Sequence, residues 1–256
     1  MQPIGLFNGE RALVTGSASN IGRAIAEALA REGAHVVLAD VDGDRNALVL
    51  QAICDAGGSA EIAPTDLSGT AGWRGLAARL QGQPLHMLVY AAAPARHERD
   101  HVREVSEDTF DAMLNVNVRS GFLLARAVAE QMQAGGLKGR MLFVTSLHAE
   151  SPRNLPHYSA SKAAQTMLVK ELARAYGRYG IRVNAIAPGA IPGGGFNAAA
   201  FDFSGKIAMG RPGNAEDLAG PALALLSDRF SRYVTGTTLV VDGGLALFNW
   251  ISPAAD

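Results

Sequence analysis

The chain has 256 residues and a formal net charge of −1, and 48% of its residues are hydrophobic while 18% are charged. This length is compatible with a single large α/β domain, and the composition is ordinary for a protein with a buried core. The near-neutral charge supplies no basic field that would collect nucleic acid or an anionic membrane surface. The single cysteine, Cys54, excludes an internal disulfide and a cysteine-rich metal site, so we expect no metal and interpret Cys54 as a buried apolar residue.

Apolar strand-like runs alternate with helical patterns along the whole chain. The predicted strands are 11–16, 34–40, 60–66, 86–92, 139–146, 181–188 and 236–244. The predicted helices are 20–32, 42–56, 106–134, 157–179 and 214–227. Apolar strands separated by helices indicate a parallel sheet covered on both faces, and right-handed crossovers make it a doubly wound, Rossmann-type sheet. We predict a single α/β domain over residues 1–256.

The stretch TGSASNIGRA, residues 15–24, follows the first predicted strand and opens the first helix. Gly16 and Gly22 are six residues apart, and main-chain N–H groups at such a turn attract a pyrophosphate. Asn20 stands where a middle glycine would be expected. Asparagine tolerates a left-handed backbone and is a good helix N-cap, so we interpret Asn20 as a substitute for the glycine, either in backbone shape or as a helix cap. The alternative is a tight turn without a ligand.

Asp40 ends the second predicted strand, where a carboxylate can accept both ribose hydroxyls of an adenosine and repel a 2′-phosphate. No Arg or Lys occurs at 17–20 or 40–44. We therefore expect NAD(H) in preference to NADP(H). Asp42 is interpreted as the cap of the second helix. Arg45, one turn further on, is a nearby cation, so NADP(H) stays an alternative to NAD(H).

Tyr158 and Lys162 are four residues apart in a helical stretch, so both side chains lie on one face. A lysine ammonium beside a phenol stabilises the phenolate, and such a tyrosine can exchange a proton with an alcohol or a carbonyl. Ser146 ends the preceding strand, and its hydroxyl can bind the substrate oxygen. Strand alternation turns Thr145 to the other face. The alternative is an ordinary solvated helix face.

Taken together, these residues resemble the classical short-chain dehydrogenase/reductase family. The similarity covers about residues 9–244 and includes the C-terminal stretches GRPGNAEDLA and YVTGTTLVVDGG. The matching residues are Thr15–Gly22, Asp40, Asp66, Leu67, Asn117, Ser146, Tyr158, Lys162, Pro188 and Gly189. The resemblance implies an NAD-dependent alcohol dehydrogenase or carbonyl reductase.

The resemblance also implies a role for each matching residue. Tyr158 is the general acid/base, Ser146 polarises the substrate oxygen, and Lys162 acts on the tyrosine and on the nicotinamide ribose. Asn117 holds a water that links Lys162 to solvent. The implied cofactor-binding residues are Gly16, Ser17, Ser19, Asn20, Ile21, Gly22, Asp40, Asp66, Leu67, Ala91, Ala92, Tyr158, Lys162, Pro188, Gly189 and Ile191. The implied substrate-binding residues are Ser146, His148, Tyr158 and Phe196.

The chain departs from the family pattern at four places. These are Asn20, the sequence Tyr90 to Ala93 in place of Asn-Asn-Ala-Gly, a Ser146–Tyr158 spacing one residue shorter than the commonest, and Gly193 where a threonine is frequent. We interpret Tyr90 as a core residue with a partner for its hydroxyl. The departures motivate two alternatives, a degenerate nucleotide-binding or regulatory module and a non-redox use of the same site.

Further predictions concern the substrate and the assembly. Residues 191–210 are interpreted as a mobile lid, and the substrate as a polyol, a sugar, or a small cyclic or acyl ketone. His148 either binds a substrate hydroxyl or is a solvated loop residue. The resemblance implies a homotetramer formed through the helices at 106–134 and 157–179. The tail 245–256, with Phe248, Trp250 and Ile251, packs on a neighbouring subunit or on its own chain.

Location is predicted from what the sequence lacks. No stretch approaches the roughly 20 apolar residues of a bilayer span. The first residues have neither the basic start nor the apolar run of a secretory signal. We therefore expect a cytoplasmic protein with no membrane partner.

Overall fold

The computed structural model describes residues 4–97, 99–193, 203 and 205–247. The predicted substrate contact Phe196 lies outside these residues, as do Phe248, Trp250 and Ile251 of the predicted tail. Residues 194–202 and 204 of the predicted lid also lie outside them.

Seven parallel strands form one sheet, as the apolar runs predicted. They are β1 (Arg11–Thr15), β2 (His35–Ala39), β3 (Ser59–Ile62), β4 (Met87–Tyr90), β5 (Arg140–Val144), β6 (Arg182–Pro188) and β7 (Thr238–Val241). Their order is β3-β2-β1-β4-β5-β6-β7, so the chain reverses direction across the sheet between β1 and β4. This order confirms the doubly wound Rossmann-type prediction, in which ligands bind where the strand order reverses.

Helices cover both faces of the sheet. They are α1 (Asn20–Arg31), α2 (Gly43–Asp55), α3 (Thr70–Arg79), α4 (Glu107–Leu114), α5 (Gly121–Ala134), α6 (Pro156–Tyr176), α7 (Ala219–Leu226) and α8 (Asp228–Ser231). A π turn, Asn115–Ser120, joins α4 to α5. Neither α3 nor α8 was predicted. The sequence TAGWRGLAAR of α3 has two glycines and a weak apolar pattern, and the helix is fixed by burial of Trp73, Leu76 and Ala77.

The core consists of one apolar cluster on each side of the sheet. Alternate strand residues point to opposite sides, as Leu13 and Val14 of β1 do. Leu13 packs in the cluster covered by α3, α5 and α6, and Val14 in the cluster covered by α1, α2 and α7. Burial on both sides explains why the strands are continuous apolar runs in the sequence.

Helix α2 buries a face that includes the polar Asn46 and leaves Cys54 exposed. Leu48 is 70% exposed and Cys54 is exposed, whereas Asn46, Val49 and Ile53 are buried. The prediction of a buried Cys54 is therefore wrong. The cause is the polar Asn46, whose amide donates to the Leu38 carbonyl (3.2 Å) and so holds that face inward.

Asp42 caps α2 as predicted, since its carboxylate accepts a hydrogen bond from the Arg45 main-chain N–H at 3.0 Å. No helix in the described part of the chain combines the length and the apolar composition that a bilayer span requires. Across the same residues, no three His, Cys, Asp or Glu side chains gather as a metal site would need.

Candidate functional site

A cleft of about 740 Å³ opens at the carboxyl ends of the strands. It crosses the point where the strand order reverses, which is the ligand position expected for this type of sheet. The predicted residues that line it are Gly16, Ser19, Asn20, Ile21, Gly22, Asp40, Asp66, Leu67, Ala91, Ala92, Ser146, Tyr158, Lys162, Pro188, Gly189 and Ile191. The structure thus brings together side chains from β1, β2, β4, β5 and β6 that are far apart in the sequence.

The turn after β1 requires both of its glycines. Gly16 has φ +68°, and a Cβ on it would lie 2.7 Å from the Ala92 main-chain nitrogen. A Cβ on Gly22 would lie 2.0 Å from the Gly16 carbonyl oxygen. The turn therefore leaves main chain exposed at the start of α1, a geometry that accepts the phosphates of a dinucleotide.

Asn20 adopts a left-handed backbone with φ +49°, which confirms that it substitutes for a glycine in backbone shape. The capping alternative is wrong, because Ser19 is the N-cap residue and no side chain caps this end. The Asn20 side chain lies against Gly193, since a Cβ on Gly193 would stand 2.3 Å from Asn20 Nδ2. Two of the four departures from the family pattern are therefore neighbours across the cleft.

Asp40 is fixed in place by two main-chain donors. Its Oδ2 accepts from the Ala18 N–H and its Oδ1 from the Asp42 N–H, each at 3.0 Å. A carboxylate has further lone pairs on both oxygens, so Asp40 can still accept ribose hydroxyls in the cleft. Arg45 also lines the cleft, but its guanidinium pairs with Asp42 at 3.3 Å.

Asp66 and Ser17, two other predicted cofactor-binding residues, each make a hydrogen bond within the protein. Asp66 Oδ1 accepts from the Ser68 main-chain N–H at 2.8 Å, and this hydrogen bond holds the pKa of the Asp66 carboxyl below its usual value. The Ser17 hydroxyl is buried and donates to Asn46 Oδ1 at 2.9 Å, so its side chain does not face the cleft, and a role of Ser17 in cofactor binding stays a prediction. The same buried Asn46 that sets the face of α2 thus also orients the phosphate turn.

The segment from Tyr90 to Ala93 is held by main-chain hydrogen bonds to Thr15 and by the Tyr90 hydroxyl. Thr15 Oγ1 accepts from the main-chain N–H groups of Ala91 (3.2 Å) and Ala92 (3.3 Å). Tyr90 is fully buried and its hydroxyl donates to the Val116 carbonyl at 2.6 Å, which confirms its interpretation as core. Burial raises the pKa of Tyr90 far above its ordinary value, so it does not titrate in the working range.

Ser146, Tyr158 and Lys162 meet at one end of the cleft. Ser146 follows β5, and its Oγ accepts from the His148 main-chain N–H at 3.2 Å. Lys162 Nζ lies 5.7 Å from the centre of the Tyr158 ring, one helical turn away on α6. Thr145 is no rival for the serine, because its hydroxyl donates to the Ile186 carbonyl at 2.9 Å. This group can exchange a proton with a substrate oxygen.

Lys162 is almost completely buried and its ammonium is held by two oxygens. Nζ donates to the Val144 carbonyl at 2.8 Å and to Gln165 Oε1 at 2.9 Å. Burial first, and the charge of Arg96 second, lower the pKa of Lys162 to about 7. The sequence analysis did not single out Gln165.

Asn117 lies behind the cleft in the π turn and is fully buried. Its side-chain Nδ2 donates to Ser161 Oγ at 2.9 Å, and its main-chain carbonyl accepts from Gln165 Nε2 at 2.8 Å. The structure therefore connects Asn117 to Lys162 through the Gln165 amide. π turns of this kind are frequent at functional sites.

Arg96 is a second residue that the sequence analysis missed. Its guanidinium carbon lies 4.5 Å from the centre of the Tyr158 ring, in cation–π contact, and it lines the cleft. The loop AAAPARHERD has no periodic pattern, but it follows β4 at the end of the sheet where ligands bind, and that position was the available signal.

His148 does not line the cleft with Tyr158. Its Nδ1 lies 2.9 Å from the Ser151 carbonyl, and its ring centre is 6.1 Å from that of Tyr158. A role for His148 in substrate binding stays a prediction. Phe196, the other predicted substrate contact, is outside the described residues.

The fold and the cleft define an α/β protein of the dinucleotide-binding type. A family model described as enoyl-(acyl carrier protein) reductase matches residues 16–246. Glucose 1-dehydrogenase of Gluconobacter oxydans is 35% identical over 268 residues, covering 96% of this chain and 97% of that protein. L-rhamnose-1-dehydrogenase of Scheffersomyces stipitis is 32% identical over 252 residues, covering 94% and 97%.

A solved structure of similar sequence supports the same family assignment. The gluconate 5-dehydrogenase from Burkholderia cenocepacia in complex with NADP and tartrate has a TM-score of 0.86 and 33% identity, covering 94% of this chain and 97% of that one. The chain belongs to the classical short-chain dehydrogenase/reductase family, a family of oxidoreductases.

Proposed function

We propose that the protein is an NAD(H)-dependent oxidoreductase that moves a hydride between the nicotinamide and a secondary alcohol or ketone. The observation that carries the proposal is the meeting of Ser146, Tyr158 and Lys162 at one end of a cleft whose other end has the glycine turn and Asp40. The residues present fit a dinucleotide, because Gly16 and Gly22, where a Cβ would strike main chain, allow the tight strand-to-helix turn that a phosphate site needs. Bound NAD would supply the hydride chemistry.

The residues of the chain divide the remaining work. Ser146 Oγ donates a hydrogen bond to the substrate oxygen and orients it, and Tyr158 Oη accepts the alcohol proton during oxidation or returns it during reduction. The Lys162 ammonium stabilises the negative charge that the tyrosine carries after it has given up its proton. The preference for NAD favours alcohol oxidation as the working direction.

We infer that the substrate is a sugar, a polyol or a sugar acid. The relatives named above are dehydrogenases of glucose and L-rhamnose, and a sorbitol dehydrogenase of Cereibacter sphaeroides is 31% identical over 262 residues. Arg96 favours the acid, because a guanidinium beside the reacting tyrosine can bind a carboxylate through paired hydrogen bonds. The structural neighbour with bound tartrate is a gluconate 5-dehydrogenase.

The choice of NAD over NADP depends on Asp40. Relatives use both cofactors, since the L-rhamnose 1-dehydrogenase of Thermoplasma acidophilum, 33% identical over 255 residues, is described as NADP(+)-dependent. In this chain a carboxylate stands at the ribose position, and the turn residues 17–20 are all uncharged. A 2′-phosphate would be repelled by Asp40.

The test is turnover of NAD⁺ to NADH with D-gluconate, sorbitol, D-glucose and L-rhamnose. We expect Tyr158→Phe to lower kcat by about 10²- to 10⁴-fold, since proton transfer by a positioned side chain contributes that much. Tyr179→Phe is the control, because Tyr179 is an exposed tyrosine in the turn that follows α6.

Calorimetry with NAD⁺ separates the alternatives. Wild-type protein that binds no nicotinamide cofactor overturns the proposal. Binding without turnover would point to a regulatory module, and substrate conversion without net NADH would point to a non-redox reaction at the same site.

A further inference from the structure

Gln165 lies on α6 one turn after Lys162 and joins three elements of the site. We propose that Gln165 is a positioning residue that holds the Lys162 ammonium in place by fastening it to the main chain of Asn117. This extends the Ser–Tyr–Lys set by a fourth side chain. The kinetic part of the proposal rests on the oxidoreductase function, whereas the protonation of Lys162 can be measured without turnover.

The contacts form one continuous buried chain. Lys162 Nζ donates to Gln165 Oε1 at 2.9 Å, and Gln165 Nε2 donates to the Asn117 carbonyl at 2.8 Å. Gln165 and Asn117 are fully buried and Lys162 is 3% exposed. Gln165 thus connects α6 to the π turn, while the second acceptor of Lys162, the Val144 carbonyl, connects α6 to β5.

The orientation of the Gln165 amide is set by its two partners. A lysine ammonium only donates and a main-chain carbonyl only accepts, so the amide oxygen must face Nζ and the amide nitrogen must face Asn117. A flip would leave a donor against a donor and an acceptor against an acceptor in the protein interior, which costs free energy at both ends. The amide therefore presents a fixed dipole with its negative end toward the ammonium.

The hydrogen bonds to Val144 and Gln165 leave one N–H group of the Lys162 ammonium for the reaction. An ammonium has three N–H donors, and Val144 and Gln165 take two of them. The third is left for the reacting tyrosine or the cofactor ribose. Gln165 thereby fixes the rotation of the ammonium as well as its position.

The surroundings make this support necessary. Burial and the Arg96 guanidinium, which approaches from the loop after β4, both work against a charged Lys162. Tyr158 is its titratable neighbour on α6, and β5 faces it with the Val144 main-chain carbonyl. Among the described residues, the atoms that the ammonium donates to are the Val144 and Gln165 oxygens. The carboxamide is therefore one of two groups that favour the charged form.

The test compares Gln165→Leu, Gln165→Glu and a control, Gln131→Leu, in the full-length protein. Gln131 also donates through Nε2 to a main-chain carbonyl, that of Ala77 at 2.9 Å, but on α5 away from the site. The protonation of Lys162 is followed by NMR with isotope-labelled lysine, and Lys162→Met identifies its signal.

The expected shifts have opposite signs. Leucine removes an acceptor of the charged form, so the pKa of Lys162 falls by about one pH unit, and glutamate adds a negative acceptor, so it rises by at least about one unit. The limb of the kcat profile where activity falls as Lys162 loses its proton moves in the same directions. Gln131→Leu moves neither.

Each outcome decides the proposal. Opposite shifts in the two variants support it, and an unchanged Lys162 titration in both overturns it. If Gln165→Leu fails to fold in thermal unfolding, the near-isosteric Gln165→Glu decides alone, and the absence of an upward shift overturns the proposal. If wild-type protein shows no turnover, the oxidoreductase function fails while the NMR titration still tests Gln165.

Discussion

We propose that Asp40 combines a structural and a recognition task in one side chain. Its carboxylate ties together the glycine turn after β1 and the loop that leads into α2, because it accepts from the N–H groups of Ala18 and Asp42. The same side chain lines the cleft. The carboxylate is therefore already oriented before a ribose arrives, which lowers the cost of binding one.

We predict that Asp40→Ala raises the KM for NAD⁺ by about 10- to 100-fold, because hydrogen bonds to a charged group contribute about 1.5–3 kcal/mol. The KM for NADP⁺ should change less or improve, since the repulsion of the 2′-phosphate is gone. The measurement is kcat/KM with each cofactor. Asp44→Ala, an exposed acid in the first turn of α2, is the control. An unchanged NAD/NADP ratio in Asp40→Ala would contradict the assignment.

Arg96 supplies the second prediction at this scale. Arg96→Met should raise the KM for D-gluconate by about 10- to 100-fold through loss of a charge-assisted carboxylate contact, and should affect sorbitol, its neutral six-carbon counterpart, much less. Arg99→Met, an exposed arginine in the same loop, is the control. An equal loss with both substrates would show that Arg96 acts through Tyr158 and not on the substrate.

Single residues differ in how well the sequence predicts them. Asp42 and Tyr90 were interpreted correctly, because a helix cap and a buried aromatic with a partner follow from local rules. Gln165 and Arg96 were missed. Their roles come from contacts with Asn117 and Tyr158 that only the packed chain brings about.

The start of α1 shows how an element tolerates a departure from its family pattern. The turn needs glycine at 16 and 22 because a Cβ would strike main chain, whereas position 20 needs only a left-handed backbone. Asparagine adopts that backbone at a small cost.

We expect Asn20→Gly to change the Kd for NAD⁺ only a few-fold, because the glycine adopts the same φ without strain. Asn20→Val should weaken binding strongly, since a β-branched residue in this conformation is strained by roughly 1–3 kcal/mol. Calorimetric titration of both variants checks this. A large gain in affinity for Asn20→Gly would mean that the asparagine impairs the site.

Helices α2 and α3 mark the limit of pattern analysis at the element scale. In α2 the inward face has Val49 and Ile53 but also the polar Asn46, while the apolar Leu48 points outward, so hydrophobicity alone does not place every residue of the helix. In α3 two glycines weaken the local signal, and the helix depends on the burial of Trp73 against the sheet. Both cases reflect tertiary contacts that outweigh local preference.

At the scale of the whole molecule, β7 is an edge strand paired only with β6 among the described strands. Apolar side chains are exposed on and around it, with Tyr233 fully exposed and Leu239 and Val240 about half exposed. An unpaired apolar edge of this kind is typical of a surface that is covered in an assembly. It agrees with the homotetramer that we propose for this chain.

We predict a mass of about four chains in light scattering, as in homotetrameric members of the family, and a smaller mass for Val240→Lys, because a buried lysine would oppose the contact. Leu48→Lys, on the exposed face of α2, should leave the mass unchanged. Deletion after Gly244 tests the tail, and an unchanged mass would remove the reason to place residues 245–256 at an interface.

The sequence by itself determined the parallel sheet and its seven strands, because hydrophobic periodicity is local in the chain. The phosphate turn, Asp40 and the Ser146, Tyr158 and Lys162 set were predicted from the resemblance to the family, since their local spacing also fits a tight turn and a solvated helix face. Only the tertiary structure decided that Ser17 turns inward to Asn46, that Arg96 covers the Tyr158 ring and that Gln165 fastens Lys162 to Asn117. Those contacts join residues on different elements, and their geometry exists only after the elements have packed.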